Sequence, residues 1–473
     1  MGRRTTIMAD WSLALRNLLR NRRRTASTLA ALAVGLLAIL LFRGFETNLA
    51  NTMYTTFVRG GGHMQIQHRD YYLFGSGNPT AYGIERYQEL LAAIRTDEQL
   101  QSMVALATPM LRFGGLAGNF DAGIARPVIG SGYVAGDVKV MREWNEFRVP
   151  LSRAEFPLVG TPSDAAVIGV GVARVLQLCS SLRVADCPTP LAEQADPGGP
   201  LRKLPADIAD LARIEGGSSA ARTRTPTLEL LTSSARGAPN VAALNVVAAE
   251  DQGIKELDEI SVILHLAQAQ KLVFGRSAPR ITAIIVLLKR SADEDRAAAR
   301  LRELLARESG RQSLVVRTFG ELNPFYVQSD RMFNFIFGFF FLLIGGIVLF
   351  AVGNTINTAV VERTVEIGTL RAIGLRKAGV RRQFVMEGFL MGGAGAAAGV
   401  LAAVIVAAAV NRWGLTWTPP GSSESLPLRL HVLGEPGLVA AVTIGLVGIA
   451  TLSAWWPAWR AARLNIVEAL RHA

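Results

Sequence analysis

The sequence predicts an α-helical membrane protein with four transmembrane helices and a large mixed α/β extracytoplasmic domain inserted between helices 1 and 2. Three observations carry this. Half of the 473 residues are hydrophobic and the mean hydropathy is +0.28, high for a soluble chain of this length. Four windows, 25–42, 332–361, 388–411 and 436–459, contain no Asp, Glu, Lys or Arg. Between the first and second windows, strand-like and helix-like patterns alternate.

Each window reaches the roughly 18 to 25 residues needed to cross about 30 Å of hydrocarbon, and buried helices of soluble proteins rarely stay uncharged for so long. The first window could be read as a secretory signal. Its apolar run is too long, however, and no small-residue cleavage pattern precedes Arg43.

Orientation follows from the basic residues. Arg3, Arg4, Arg16, Arg20, Arg22, Arg23 and Arg24 precede the first window, against one acid, Asp10. A basic flank stays in the cytoplasm, which puts 1–24 inside. Four crossings then place 43–331 outside, 362–387 inside, 412–435 outside and 460–473 inside. The expected location is a bacterial inner membrane, with both termini cytoplasmic and the large domain periplasmic. The net charge of +12 is therefore partly topological, and nucleic acid is not an expected partner.

In 43–331, "GHMQIQ", "ARPVIGSGYV", "NVAALNVVAA", "ITAIIVLLK" and "SLVVRTF" read as strands, while "RYQELLAAIRT" and "ADEDRAAARLRELLARES" have helical spacing. The stretch 187–219 is dense in Pro and Gly and reads as an insertion or a join between lobes. Cys179 and Cys187 are the only cysteines, and an oxidising compartment permits a disulfide between them. We expect the bridge; two buried free thiols are the alternative.

Catalytic signatures are missing. No H-E-x-x-H, C-x-x-C or G-x-S-x-G occurs, and the five histidines lack ligand spacing, so neither an enzyme nor a metal site is expected. His63 and His68, five apart on one presumed strand, fall on opposite faces. There is no G-x-x-x-x-G-K-[ST], so any ATP, with its Mg, belongs to another polypeptide. In "GGAGAAAG", Gly393, Gly395 and Ala398 have dinucleotide-fingerprint spacing but lie inside a span without the required strand. Gly392, Gly395 and Gly399 are expected to pack helices, Gly395 and Gly399 four apart on one face.

The stretch 360–384, "VVERTVEIGTLRAIGLRKAGVRRQF", carries eight charges between two spans. With no Pro, and only Gly368 before Gly374, the second span is expected to continue as a helix to Ala372, with Glu362 and Glu366 one turn apart. A turn at Gly374 would follow. A short helix would then place Leu375, Val380 and Phe384 on one face and Arg376, Lys377, Arg381 and Arg382 on another. Anchoring to anionic headgroups accounts for the arginines but not for the acids. An extension with both signs is better suited to a groove on a soluble partner.

These residues resemble the FtsX/MacB/LolCE permeases, the mechanotransmission (type VII) class of ABC transporters. "ERTVEIGTLRAIGLRKAGVRRQF" is similar to that family's E-R-x-x-E-I-G-x-x-R-A-x-G signature, and "PAWRAARLNIVEALR" to its closing motif. "LALRNLLRNRRRTASTLAALAVG" and "GIKELDEISVILHLAQAQKLV" match its opening helix and part of its outer domain. The resemblance implies a permease pairing with a second copy or a paralogue, docked on two copies of a cytoplasmic ABC ATPase. The element facing the ATPase would hold Glu362, Arg363, Glu366, Arg371 and Gly374, and the coupling helix would run from Arg376 to Phe384. "GGHMQIQHRDYY" resembles the outer-domain start of the lipoprotein-releasing LolC/LolE-like branch, which implies extraction of a lipid-linked substrate and a periplasmic carrier. Tripartite export with a periplasmic adaptor, as in MacB-like permeases, and FtsX-like control of a cell-wall hydrolase stay open.

Overall fold

The structure is a computed structural model that describes residues 14, 16–18, 20, 22–75, 77–120, 122–151, 155–185, 187, 226–234, 237–308, 312–418, 425–432, 434 and 436–466. The Pro/Gly-rich stretch 187–219 lies outside them except for Cys187, as do Arg3, Arg4 and Arg471. The chain divides into two compact units. One comprises 1–52, 325–417 and 427–473, the other 53–324 and 418–426.

Helix α1 runs unbroken over Arg22–Gly61, well past the apolar window that ends at Phe42. Beyond that window the sequence holds Gly44 but no Pro, and a helix ends where its hydrogen bonds end, not where its hydropathy falls.

In the outer unit come α2 (Tyr87–Thr96), α3 (Glu98–Met103), α4 (Leu266–Phe274) and α5 (Glu294–Glu308). Its strands are β1 (Met64–His68), β2 (Val104–Asn119), β3 (Ile124–Tyr133), β4 (Ala165–Gly169), β5 (Thr227–Ser233), β6 (Pro239–Glu250), β7 (Ser261–His265), β8 (Ala283–Leu288) and β9 (Leu314–Thr318). They form one sheet in the order β3-β7-β4-β6-β5-β2-β8-β1-β9, and β3 also pairs with β2. Six strands therefore close a ring, and β8, β1 and β9 extend from it. One edge of β2 takes two neighbours in succession, β8 along Val104 to Met110 and β5 along Leu116 to Gly118.

All five expected strands and both expected helices are present. Strands β2, β4, β5 and β7 were not among the expected ones. Strand β2 is the longest, but Pro109, Gly114, Gly115 and Gly118 break its pattern. Its Phe113 ring covers Gly130, the residue opposite on β3, at a spot where a Cβ would come within 2.3 Å of the ring. The aromatic supplies the packing that glycine lacks.

The core of this unit joins Leu90, Ile94, Leu100, Ile284, Val286, Leu301 and Leu305 between the sheet and its helices. Asp97 caps α3, accepting from the N–H groups of Gln99 and Leu100, and is held by Arg300 of α5 at 2.8 Å. That guanidinium keeps the Asp97 carboxyl below its usual range. Cys179 and Cys187 are bonded, with Cα atoms 6.2 Å apart.

His63 lies just before β1 and is fully buried. Its Nδ1 accepts the N–H of Leu288 at 3.1 Å, and its ring meets Trp144 edge-on at 4.8 Å. Burial pushes the imidazole down to about 4, so it is neutral. His63 is a structural residue that closes the end of β8.

The other unit is completed by α6 (Pro324–Glu362), α7 (Thr364–Ala372), α8 (Lys377–Trp413) and α9 (Pro436–Ala462). With α1 these supply four helices apolar and long enough to cross a membrane, one for each charge-free window. Their shared core is built from Leu32, Leu36, Val352, Ile356, Ala403, Leu446, Ala450 and Ala454. Thr28 of α1 and Thr355 of α6 share a hydrogen bond of 2.7 Å across that core.

Candidate functional site

The charged stretch between α6 and α8 is built differently from the continuous extension that its composition predicts. Helix α6 stops at Glu362, because Arg363 leaves the helical region at φ −110°, ψ 19°. The Thr364 hydroxyl competes for the last carbonyls of α6, donating to those of Val360 at 3.1 Å and Val361 at 2.9 Å. Helix α7 then restarts and ends in a Schellman motif. The N–H of Leu375 reaches the Leu370 carbonyl, that of Gly374 reaches the Arg371 carbonyl, and Gly374 sits at φ +109°, where glycine is favoured. The expected turn at Gly374 is thus in place.

The short helix expected after that turn does not end before the third span. Helix α8 is continuous from Lys377 to Trp413. Glu387, the charge that delimits the apolar window at 388, lies inside the bundle and interrupts nothing.

Arg363 explains how Glu387 can be there. Its guanidinium is 3.1 Å from the Glu387 carboxylate and also donates to the Asn17 carbonyl at 3.2 Å. Asn17 donates its side-chain amide to Glu387 at 2.7 Å. Arg363 is 8% exposed and Glu387 2%. A buried charge is tolerable only when it is paired and hydrogen-bonded, and here each charge has two polar partners. Arg363 therefore sits inside the bundle, not on a partner-facing surface.

Two exposed pairs flank this one. Arg24 meets Glu362 at 2.9 Å, and Arg20 meets Glu366 at 2.8 Å. Arg371 donates to the carbonyl of Leu464 beyond α9. The stretch from Asn17 to Arg24 thus holds both acids and the arginine of the α6–α7 junction. A recess beside the buried pair is lined by Asn17, Arg24, Thr355, Glu362, Arg363 and Glu387.

The remaining expected residues divide between core and surface. Val380 and Phe384 are core residues, so Phe384 is not part of a docking surface. Arg376, Lys377 and Arg382 are exposed, and Arg381 stacks over the Trp455 ring at 5.1 Å. Around the α7–α8 turn, Leu370, Ile373 and Leu375 are exposed apolar residues, Ile373 at 80%.

The packing glycines serve two partners. A Cβ on Gly392 would come within 2.9 Å of Ala450 on α9. On Gly395 it would meet Leu32 of α1 at 2.6 Å, and on Gly399 the Ala33 carbonyl at 2.9 Å. The three glycines let α8 approach both neighbours closely.

In the sequence, Arg20 and Arg24 counted only as orientation charges, and Asn17 and Glu387 were not singled out. Glu387 carried a signal, as an acid abutting a span, and an ionisable group at membrane depth has a partner by default. The choice of Arg363 as that partner, 24 residues away, comes from the fold alone.

Residues 335–466 match the family model described as FtsX-like permease C-terminal. Among solved structures, the chain is similar at 11% identity to the periplasmic region of MacB from Actinobacillus actinomycetemcomitans, over 56% of this chain and 94% of that one, with a TM-score of 0.31. It is also similar at 10% identity to the extracellular domain of the noncanonic ABC-type transporter YknZ from Gram-positive bacteria, over 54% and 99%, with a TM-score of 0.28. No curated protein matches. The match over 335–466 takes in α7, all of α8 and α9 and the charged junction, and it marks this part of the chain as similar to the C-terminal region of FtsX-like permeases.

Proposed function

We propose that this chain is the permease subunit of an ABC transporter and couples ATP hydrolysis by a separate ATPase dimer to movement of its outer domain. The observation that carries the reading is the α7–α8 turn. Leu370, Ile373 and Leu375 stand exposed among Glu366, Arg376 and Lys377, outside the charge-free windows. Apolar side chains in such a setting suit a protein partner better than water or lipid headgroups. Force on this turn would reach the spans through Arg363 and Glu387, which bind α6, α8 and the segment before α1 together. On this reading Arg376, Lys377 and Arg382 meet the ATPase, whereas Glu362, Glu366 and Arg371 brace the element behind them. A second copy or paralogue completes the transporter, both termini are cytoplasmic, and the outer unit is periplasmic.

Ile373→Asp tests the docking. The ATPase recovered with a tagged chain should fall at least several-fold, while the amount of chain in the membrane stays the same. An unchanged ATPase yield would remove the turn from the interface.

For cargo we propose a lipid-linked substrate, extracted from the inner membrane and of the lipoprotein class. This rests on the resemblance of residues 61–72. His63 within that stretch has a structural role, so the support comes from the strand pattern and not from a substrate contact. Mass spectrometry of gently purified complexes tests it. Mature lipoproteins or acyl lipids support extraction; an adaptor or a cell-wall hydrolase in their place would overturn it.

A further inference from the structure

Three arginines in the membrane unit lie on tryptophan rings. Arg381 of α8 is 5.1 Å from the Trp455 ring centre, Arg460 is 4.3 Å from that of Trp456, and Arg463 is 3.7 Å from that of Trp459. The rings belong to α9 and are exposed at 50%, 59% and 40%. Trp455 and Trp459 are four apart and share a stripe, with Trp456 beside them.

These arginines differ from those that brace the bundle. Arg20, Arg24 and Arg363 each hold a carboxylate, and Arg371 serves the Leu464 carbonyl past the C-terminus of α9. Among the described residues, no carboxylate or carbonyl pairs with the side chain of Arg381, Arg460 or Arg463. Arg460 lies in the last turn of α9 and Arg463 just past its end, so two like charges stand close together there. Stacking occupies only the flat face of a guanidinium, so its in-plane N–H groups stay free, with the fork geometry that suits phosphate. The exposed indoles end an apolar span, where aromatic side chains mark the membrane interface.

We infer that the α8–α9 face formed by Arg381, Arg460 and Arg463 on Trp455, Trp456 and Trp459 binds the phosphate headgroup of an anionic phospholipid. The apolar faces of the indoles lie against the acyl chains, and the guanidinium edges receive the phosphate oxygens. The site rests on α9 spanning a bilayer. It is independent of the ATPase-docking turn, which uses other residues.

Tryptophan quenching in vesicles tests it. The full chain is reconstituted in mixtures of phosphatidylcholine and phosphatidylglycerol, with bromine on the acyl chains of one lipid or the other. Brominated phosphatidylglycerol should quench more strongly at equal mole fraction, and each single Arg→Gln change should lower that preference by about five-fold. Strong but equal quenching by both lipids would leave α9 in the membrane and overturn the site. An unchanged preference in the triple Arg→Gln variant would overturn it too, as would loss of preference on adding inorganic phosphate, which would assign the site to a free anion. Rings quenched by neither lipid would mean that a second copy or another protein covers them. Should the triple variant fail to reconstitute, Arg460→Gln and Arg463→Gln read the same preference singly.

Discussion

The two units differ in which side chains they leave facing outward and in how closely their backbones approach. The outer unit hides Phe113, Ile284, Leu301 and their neighbours, as a water-soluble domain must. In the membrane unit, Gly392, Gly395, Ala403, Ala450 and Ala454 are buried, while Phe335, Leu342, Phe350 and Ile444 face outward. Lipid is as apolar as leucine, so large side chains can face it without the cost they would carry in water, and many do so alongside the aliphatic core. Close backbone approach and buried polar pairs help hold the helices together. The same sequence thus obeys two packing rules, and substitutions that break one should spare the other.

The largest effect is expected at the buried ion pair. Arg363→Ala or Glu387→Ala strands a charge inside the bundle and should cost about 3–5 kcal/mol, seen as a lower melting temperature of the purified protein in detergent. The double change Arg363→Met/Glu387→Leu should recover most of the loss. If the single variants melt like the parent, the pair does not hold the bundle.

In the outer unit His63 supplies a pH test. Its buried pKa near 4 lies below the 6.5 of the unfolded chain, so the unfolded state takes up the proton first as pH falls. Stability should be level in this respect above pH 6.5 and decline between pH 6.5 and 4, by roughly 3 kcal/mol in total. Thermal melts of the full chain across that range should show the decline, and His63→Asn should flatten it.

The disulfide sets a slightly smaller difference. Cys179 and Cys187 are 8 residues apart, and opening so short a loop by Cys→Ser changes should cost about 2–3 kcal/mol in the outer unit. Urea unfolding, followed by a probe in each unit, should show the shift in the outer unit only. Gly399→Leu completes the comparison from the other side. Its side chain would press on the Ala33 carbonyl of α1 and should cost about 1–3 kcal/mol in the bundle, leaving the outer unit's transition unmoved.

The packing rules also explain what the sequence could reveal. Charge-free length is a local property, so all four spans could be read directly. Helix ends could not: α1 runs on to Gly61 because polar residues outside the window still make helical hydrogen bonds. The break at Arg363 was hidden for the converse reason. A charge two residues past an apolar window looks exposed until the fold provides Glu387. Similarly, the pairs Arg20–Glu366 and Arg24–Glu362 join residues more than three hundred positions apart, which no spacing rule reaches. In the outer unit, apolar runs such as the fully buried β8 gave strands away, β5 was missed although its burial alternates, and β2 escaped because its glycines serve cross-strand contacts instead of turns.

Strand β2 gives the outer unit more than length. Met110 faces Tyr133 on β3 and Ala283 on β8, at the point where the ladder with β8 ends. There the buried Thr282 takes over, its N–H and hydroxyl both donating to the Met110 carbonyl and its Oγ1 accepting from the N–H of Arg112. The strand ring and the β8–β1–β9 extension therefore share a wall sealed by one threonine. Neither can melt while the other stands, so the outer unit should unfold as a single cooperative block, with its slowest-exchanging amides in β2 around Met110 and Arg112.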